Sequence, residues 1–143
     1  MVCLLPFRSF GGRAAFAGLI STVRCFEDNV LLERRVSEPG DRRVLVVDAA
    51  GSLRVAVLGD RLAGLAIANG WAGVVINGAV RDSVALAGLD LGVKALGTCP
   101  RRSAKEGGGE LDVAVTFGEV TFEPGSLLSA DDDGIVVLPP SGA

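Results

Sequence analysis

The chain has 143 residues, a net charge of −3 and 49% hydrophobic residues, with twenty glycines, six Phe, one Trp, no His and no Tyr. That length fits one domain, residues 1–143, with a core built from Val, Leu, Ile and Ala. The fourteen Lys and Arg residues are scattered apart from short Arg pairs, which excludes a nucleic-acid stripe, and His-dependent zinc or triad chemistry has no residues to use.

Three cysteines, Cys3, Cys25 and Cys99, are widely spaced and odd in number, as expected of reduced thiols in a cytoplasmic protein. "MVCLLPF" is too short for a secretory leader, and no run of eighteen apolar residues points to a membrane span.

In chain order, "GGRAAFAGLISTVRCF" reads as a strand with bends, closed by the turn-like "EDN" at 27–29. "VLLERRVSE", 30–38, reads as a short helix, with Asn29 as N-cap and Pro39–Gly40 as its stop. The Arg34–Arg35, Arg42–Arg43 and Arg101–Arg102 pairs read as solvated surface. "RVLVVD", 43–48, and "LRVAVL", 53–58, are continuous runs of the kind found in strands buried on both faces.

Next comes "GDRLAGLAIANGWAGVVINGAVRD", 59–82. Leu62, Leu65, Ala66 and Asn69 recur at helical spacing, Asp60 caps the start, and Gly70 suits a left-handed stop. "AGVVING", 72–78, is another buried strand, so strand, helix and strand form a right-handed βαβ unit with parallel strands. A second helix over "RDSVALAGLD", a strand at 91–98 and a loop at 99–110 follow. The remainder is strand-like: "DVAVTF" and "EVTF" as a surface hairpin, then "GIVVLP", with a turn rather than a calcium loop at Asp131–Gly134. Lys105 and Glu106 belong to a mobile loop. The fold class is α/β with a mixed sheet.

Ligands of parallel sheets bind beyond the carboxyl ends of the strands. Gly59–Asp60 lies past one strand of the βαβ unit and Arg81–Asp82 past the other, so both loops leave the same edge. A helix start at Gly59, Asp60, Arg61 and Leu62 offers unpaired N–H groups to a carboxylate. Arg81 offers a fork for a carboxylate or enolate oxygen, and Asp82 a hard oxygen ligand for Mg²⁺ or Mn²⁺. Taken singly, Asp60 also reads as an ordinary helix cap and Arg81–Asp82 as a surface pair.

This segment resembles the signature of the RraA-like proteins, named for the regulator of ribonuclease E activity A, which share a fold with class II 4-hydroxy-4-methyl-2-oxoglutarate aldolases. The pattern is an Asp, twenty residues, then Arg-Asp, met by Asp60, Arg81 and Asp82. "FGGRAAFAGLISTVRCFEDN", "DAAGSLRVAVLGD", "GVKALGTCPRRSAKEGGGE" and "PGSLLSADDDGIVVLP" extend the likeness from about Phe10 to Pro139.

The resemblance implies a swivelling β/β/α domain that forms ring-shaped homotrimers, sometimes stacked as dimers of trimers. It implies a substrate carboxylate on the backbone of Gly59, Asp60, Arg61 and Leu62, an enolate held by Arg81, a divalent cation (Mg²⁺ or Mn²⁺) on Asp82, and a metal-bound water oriented by Asp60. The activity implied is lyase cleavage of small 2-keto acids: retro-aldol cleavage of 4-hydroxy-4-methyl-2-oxoglutarate to pyruvate, with oxaloacetate decarboxylation on the side. Many relatives have an apolar residue where Arg61 stands. The chain ends at "LPPSGA", short of the acidic extension of the longer aldolases, which favours a second reading: a protein that inhibits a ribonuclease E-type partner by binding it. No glycine-rich loop after a first strand supports an S-adenosylmethionine site.

Overall fold

The continuous β-branched runs become neighbouring strands of one mixed sheet. The computed structural model describes residues 1–139. In chain order the elements are β1 (Arg8–Ser9), β2 (Phe16–Arg24), α1 (Val30–Val36), β3 (Val44–Asp48), β4 (Ala56–Leu58), α2 (Asp60–Ala68), β5 (Gly73–Val80), α3 (Ser83–Ala87), β6 (Gly92–Thr98), β7 (Glu110–Leu111), β8 (Val115–Phe117), β9 (Val120–Phe122), β10 (Leu127–Asp131) and β11 (Gly134–Leu138). The nine-stranded sheet runs β1-β6-β5-β3-β2-β10-β11, with β4 beside β5 and β7 beside β2.

The strands that alternate with helices are parallel: β2 with β3, β3 with β5, β4 with β5 and β5 with β6. The β4–α2–β5 crossover therefore places adjacent parallel strands as its spacing predicts. The flanks are antiparallel, β1 on β6 and β10 between β2 and β11.

Alternation along the central strands explains why they read as unbroken apolar runs. Leu45 and Val47 face a core shared with Leu32 and Val36 of α1 and with Leu62, Ala63 and Ala66 of α2. Val44 and Val46 face the opposite way, into a core closed by Val115, Phe117, Val120 and Phe122 of the β8–β9 hairpin. A sheet covered on both faces has no polar side to show. Each fully buried Val or Leu in these layers contributes roughly 1.5–3 kcal/mol. Helices, central sheet and hairpin make the three-layered β/β/α arrangement.

Several local expectations are corrected. The 53–58 strand shortens to β4, with Leu53 and Arg54 exposed before it. The hairpin over 115–122 is present, but its apolar residues are core rather than surface. β10 was not expected; Ser129 and Asp131 point outward between buried Leu128 and Ala130, which hides the strand in a polar-looking stretch. Arg35 is buried, not solvated: its guanidinium forks onto Asp112 at 2.9 and 3.0 Å and donates to Ser21 Oγ. Among the described residues no helix is long and apolar enough to cross a membrane.

Candidate functional site

The carboxyl ends of β4 and β5 release their chains side by side, and the Arg81 N–H donates to Leu58 O at 2.9 Å. Gly59 then turns into α2 with an extended backbone (φ −129°, ψ −166°). It, rather than Asp60, occupies the N-cap. Asp60 is the first helical residue, and the N-cap residue itself supplies no side-chain cap. The expected left-handed stop is present, with Gly70 at φ +80°.

The vacant cap is filled from the other loop. Asp82 Oδ2 accepts the Asp60 N–H at 3.0 Å. A carboxylate at a helix start is stabilised by the free N–H groups and the dipole there. The Asp60 N–H is the chief cause that lowers the Asp82 pKa. Desolvation opposes it, and the Arg81 and Arg102 guanidiniums add to the lowering. Asp82 sits in the left-handed region (φ 58°, ψ 43°), where Asp is tolerated at a cost, and from there it starts α3 through its carbonyl and Leu86 N.

No room is left for a side chain at Gly59. A Cβ on Gly59 would stand 2.5 Å from Asp82 Oδ2 and 3.1 Å from Arg81 Nε. Arg81 and Asp82 form no ion pair with one another among the described residues, so neither guanidinium nor carboxylate is spent on its neighbour.

Gly59, Asp60, Arg61, Leu62 and Arg81 line a cavity of about 350 Å³. Asp82 is solvent-exposed, touches the wall residue Gly59, and is not itself one of the wall residues. The Asp60 amide, expected to hold a substrate carboxylate, is already engaged by Asp82. The amides of Arg61 and Leu62, also in the first helical turn, have no acceptor within the helix and remain for an anion. The Arg61 side chain leans to α1 and pairs with Glu33.

Four polar wall residues were not anticipated: Asn29, Arg102, Ser103 and Lys105. Arg102 bridges to Ala56, and the Ser103 hydroxyl donates to Ala56 O at 2.8 Å. Lys105 Nζ donates to Asn29 Oδ1 at 3.1 Å, while Asn29 Nδ2 donates to Val57 O at 3.2 Å. A signal for them existed. β6 runs parallel to β5, so the loop after it must leave by the same edge, and that loop carries "PRRSAK".

This loop is pinned rather than loose. Asp28, only 5% exposed, takes the Glu106 and Gly107 N–H groups on Oδ2 at 2.6 and 3.1 Å, and the Val30 N–H on Oδ1 at 3.0 Å. Asp28, not Asn29, thus supplies the side-chain contact that opens α1. Burial raises the Asp28 pKa, but the surrounding N–H groups outweigh it and leave the carboxyl below its ordinary value.

Among the described residues no cluster of three His, Cys, Asp or Glu side chains forms a cage for a metal. The chemistry available is instead one or two carboxylates: Asp60 on the cavity wall and the exposed Asp82 next to it. Mg²⁺ and Mn²⁺ take such hard oxygen sets and fill the other positions with water or substrate, so these residues fit the ion. Cys3 and Cys25 are buried and unpaired, and burial, helped by Asp28 and Asp48, pushes the Cys25 thiol up to about 12, whereas Cys99 is free and half-buried.

Comparison with known proteins places the chain among relatives. A family model described as RraA-like, Aldolase/RraA, matches residues 4–137. A Geobacillus kaustophilus crystal structure described as S-adenosylmethionine:2-dimethylmenaquinone methyltransferase is 51% identical over 99% of this chain and 88% of that one, with a TM-score of 0.95. The RNA-processing inhibitor RraA from Thermus thermophilus is 48% identical over 100% and 86%, with a TM-score of 0.94. Streptomyces coelicolor RraAS2, an unusual member of the RNase ES inhibitor RraA protein family, is 30% identical over 96% and 73%, with a TM-score of 0.79.

Proposed function

Since the chain belongs to the RraA-like family, which spans both aldolases and ribonuclease inhibitors, we propose that it is a divalent-cation-dependent carbon–carbon lyase for small 2-keto acids. The observation that supports this reading most is the junction of Asp82 with the Asp60 amide, Asp60 and Arg81 being walls of a cavity lined by Arg61, Arg81, Arg102 and Lys105.

In this reading Asp82 holds a Mg²⁺ or Mn²⁺ ion, whose Lewis acidity would polarise the substrate's keto oxygen. The amides of Arg61 and Leu62 orient the substrate carboxylate. Arg81 donates to the enolate oxygen as the carbon–carbon bond breaks, supplying charge where charge develops. Asp60 positions a water that takes the proton of the 4-hydroxyl group in retro-aldol cleavage. Oxaloacetate loses CO₂ through the same enolate and requires no such proton transfer.

The test is release of pyruvate from oxaloacetate by the purified protein with Mg²⁺ or Mn²⁺. A rate no higher than the metal ion alone overturns the reading. The expected assembly is a homotrimer or dimer of trimers in the cytoplasm, measurable as mass in solution.

A second reading has its own support, because two of the similar structures are RraA proteins described as inhibitors of RNA processing or of RNase ES. It makes the chain a binder of a ribonuclease E-type enzyme. Asp82→Ala separates the two: it abolishes lyase turnover and leaves capture of a ribonuclease unchanged.

A further inference from the structure

The cavity is over-supplied with positive charge for a single carboxylate. Arg61, Arg81, Arg102 and Lys105 all line it. One acid outside the wall acts on two of them. Glu33 projects from α1, whose Leu32 and Val36 share a core with Leu62, Ala63 and Ala66 of α2. That packing fixes Glu33 beside the first turn of α2, where Oε1 pairs with Arg61 Nη2. The pair is only partly shielded, with side chains 63% (Arg61) and 37% (Glu33) exposed.

We propose that Glu33 is a specificity-determining residue: by neutralising Arg61 at the cavity wall it sets how strongly the site prefers doubly charged over singly charged 2-keto acids. The inference rests on the lyase reading for its ligand class, but its physics requires only that the cavity bind anions.

The mechanism is electrostatic. A change in potential at the cavity acts on a ligand in proportion to the ligand's charge. Removing the Glu33 charge leaves Arg61 uncompensated and makes the cavity more positive. Whatever factor a monoanion gains, a dianion at the same place gains roughly its square. Glu33 therefore acts on the ratio of affinities and not only on their size. The ion pair also explains why an arginine is accommodated at the cavity wall, since without its partner the full charge would face the ligand. Lys105 feels the same acid at longer range, its charge being one of those that hold the Glu33 carboxyl below its ordinary value, after Arg61.

The experiment titrates pyruvate and 2-oxoglutarate, which are not cleaved, into the full chain with Mg²⁺ at low salt by calorimetry. Glu33→Gln is expected to tighten pyruvate by about threefold and 2-oxoglutarate by about tenfold, an effect that shrinks at 0.5 M salt. Arg61→Leu is expected to move the ratio the other way. The Glu33→Gln/Arg61→Leu double variant, which has the wild-type net charge, is expected to restore the wild-type ratio, an outcome that loss of fold would not produce.

An unchanged ratio in Glu33→Gln, with its thermal midpoint intact and wild-type pyruvate release from oxaloacetate present, overturns the role of Glu33 alone. A shifted ratio in a protein with no lyase turnover supports the role of Glu33 and overturns the lyase reading. Absence of anion binding in every variant overturns both.

Discussion

Asp82 Oδ2 lies 3.0 Å from the Asp60 amide, although the two residues are 22 positions apart. The contact makes the Asp82 carboxylate the cap of α2. In the proposed enzyme, Asp82→Asn keeps the acceptor oxygen and tolerates the left-handed backbone, but loses the charge. Mg²⁺-dependent decarboxylation of oxaloacetate should fall by at least about a hundredfold. The thermal midpoint should shift little, since Asn is also a good residue for this end of a helix. Full activity in this variant would remove Asp82 from the mechanism.

Gly59 tests the same junction from the backbone side. Its φ of −129° is open to any residue, so Gly59→Ala does not strain the chain itself. Its Cβ, however, would stand 2.5 Å from Asp82 Oδ2 and must push the carboxylate away. Pyruvate binding in the presence of Mg²⁺, measured by calorimetry, is expected to weaken by about tenfold or more, at a stability cost of about 1–3 kcal/mol in denaturant unfolding. Unaltered binding would show that the position of Asp82 is not critical.

Asp28 is one of the carboxylates that contribute to the acid limb of stability. Its folded pKa is depressed, so the unfolded chain binds more protons and stability rises with pH through this group. The contribution is complete above the ordinary carboxylate range, near pH 4, and is lost as pH falls from there through the lower folded value. Asp28→Asn should destabilise the neutral protein by about 2 kcal/mol, because charge-assisted bonds to the Val30, Glu106 and Gly107 amides are weakened. It should also flatten the dependence below pH 4. Urea midpoints across pH 2.5–7 check both, and parallel curves for variant and wild type would contradict the assignment.

Phe16 is held where two glycines face each other across β5 and β6. Gly73 and Gly92 are register partners, and a Cβ on either would run into the Phe16 ring. Gly92→Ala should cost about 3 kcal/mol through overpacking. Phe16→Leu in the same chain should recover part of that loss, a coupling that a double-mutant cycle in urea measures. Additive costs would mean that the ring does not occupy the glycine groove.

The parallel middle of the fold was legible because strands covered on both faces must be apolar throughout, and Val44–Asp48 and Gly73–Val80 carry that signal over several residues. β10 was not, because only Leu128 and Ala130 of it turn inward. At the site, the meeting of the two loops follows from the crossover: parallel neighbours must end at the same edge. What did not follow is the division of labour. Nothing local marks Gly59 rather than Asp60 as the cap, since the acceptor that takes the place of a cap arrives from Asp82. Arg102 and Lys105 were read as loop charge because their role depends on β6 lying beside β5, a fact of topology and not of composition. Arg35 was misread for the same reason, its partner Asp112 being 77 positions away.

The single tryptophan has a practical consequence. Trp71 is 5% exposed at the entry to β5, donates from Nε1 to Glu38 O at 3.1 Å, and carries the Arg43 guanidinium over its ring. With no tyrosine in the chain, ultraviolet emission comes from that one indole, and its colour registers whether the α1–α2 layer is seated on the sheet. Unfolding can thus be followed in the unlabelled protein through a chromophore that is not part of the wall of the candidate cavity.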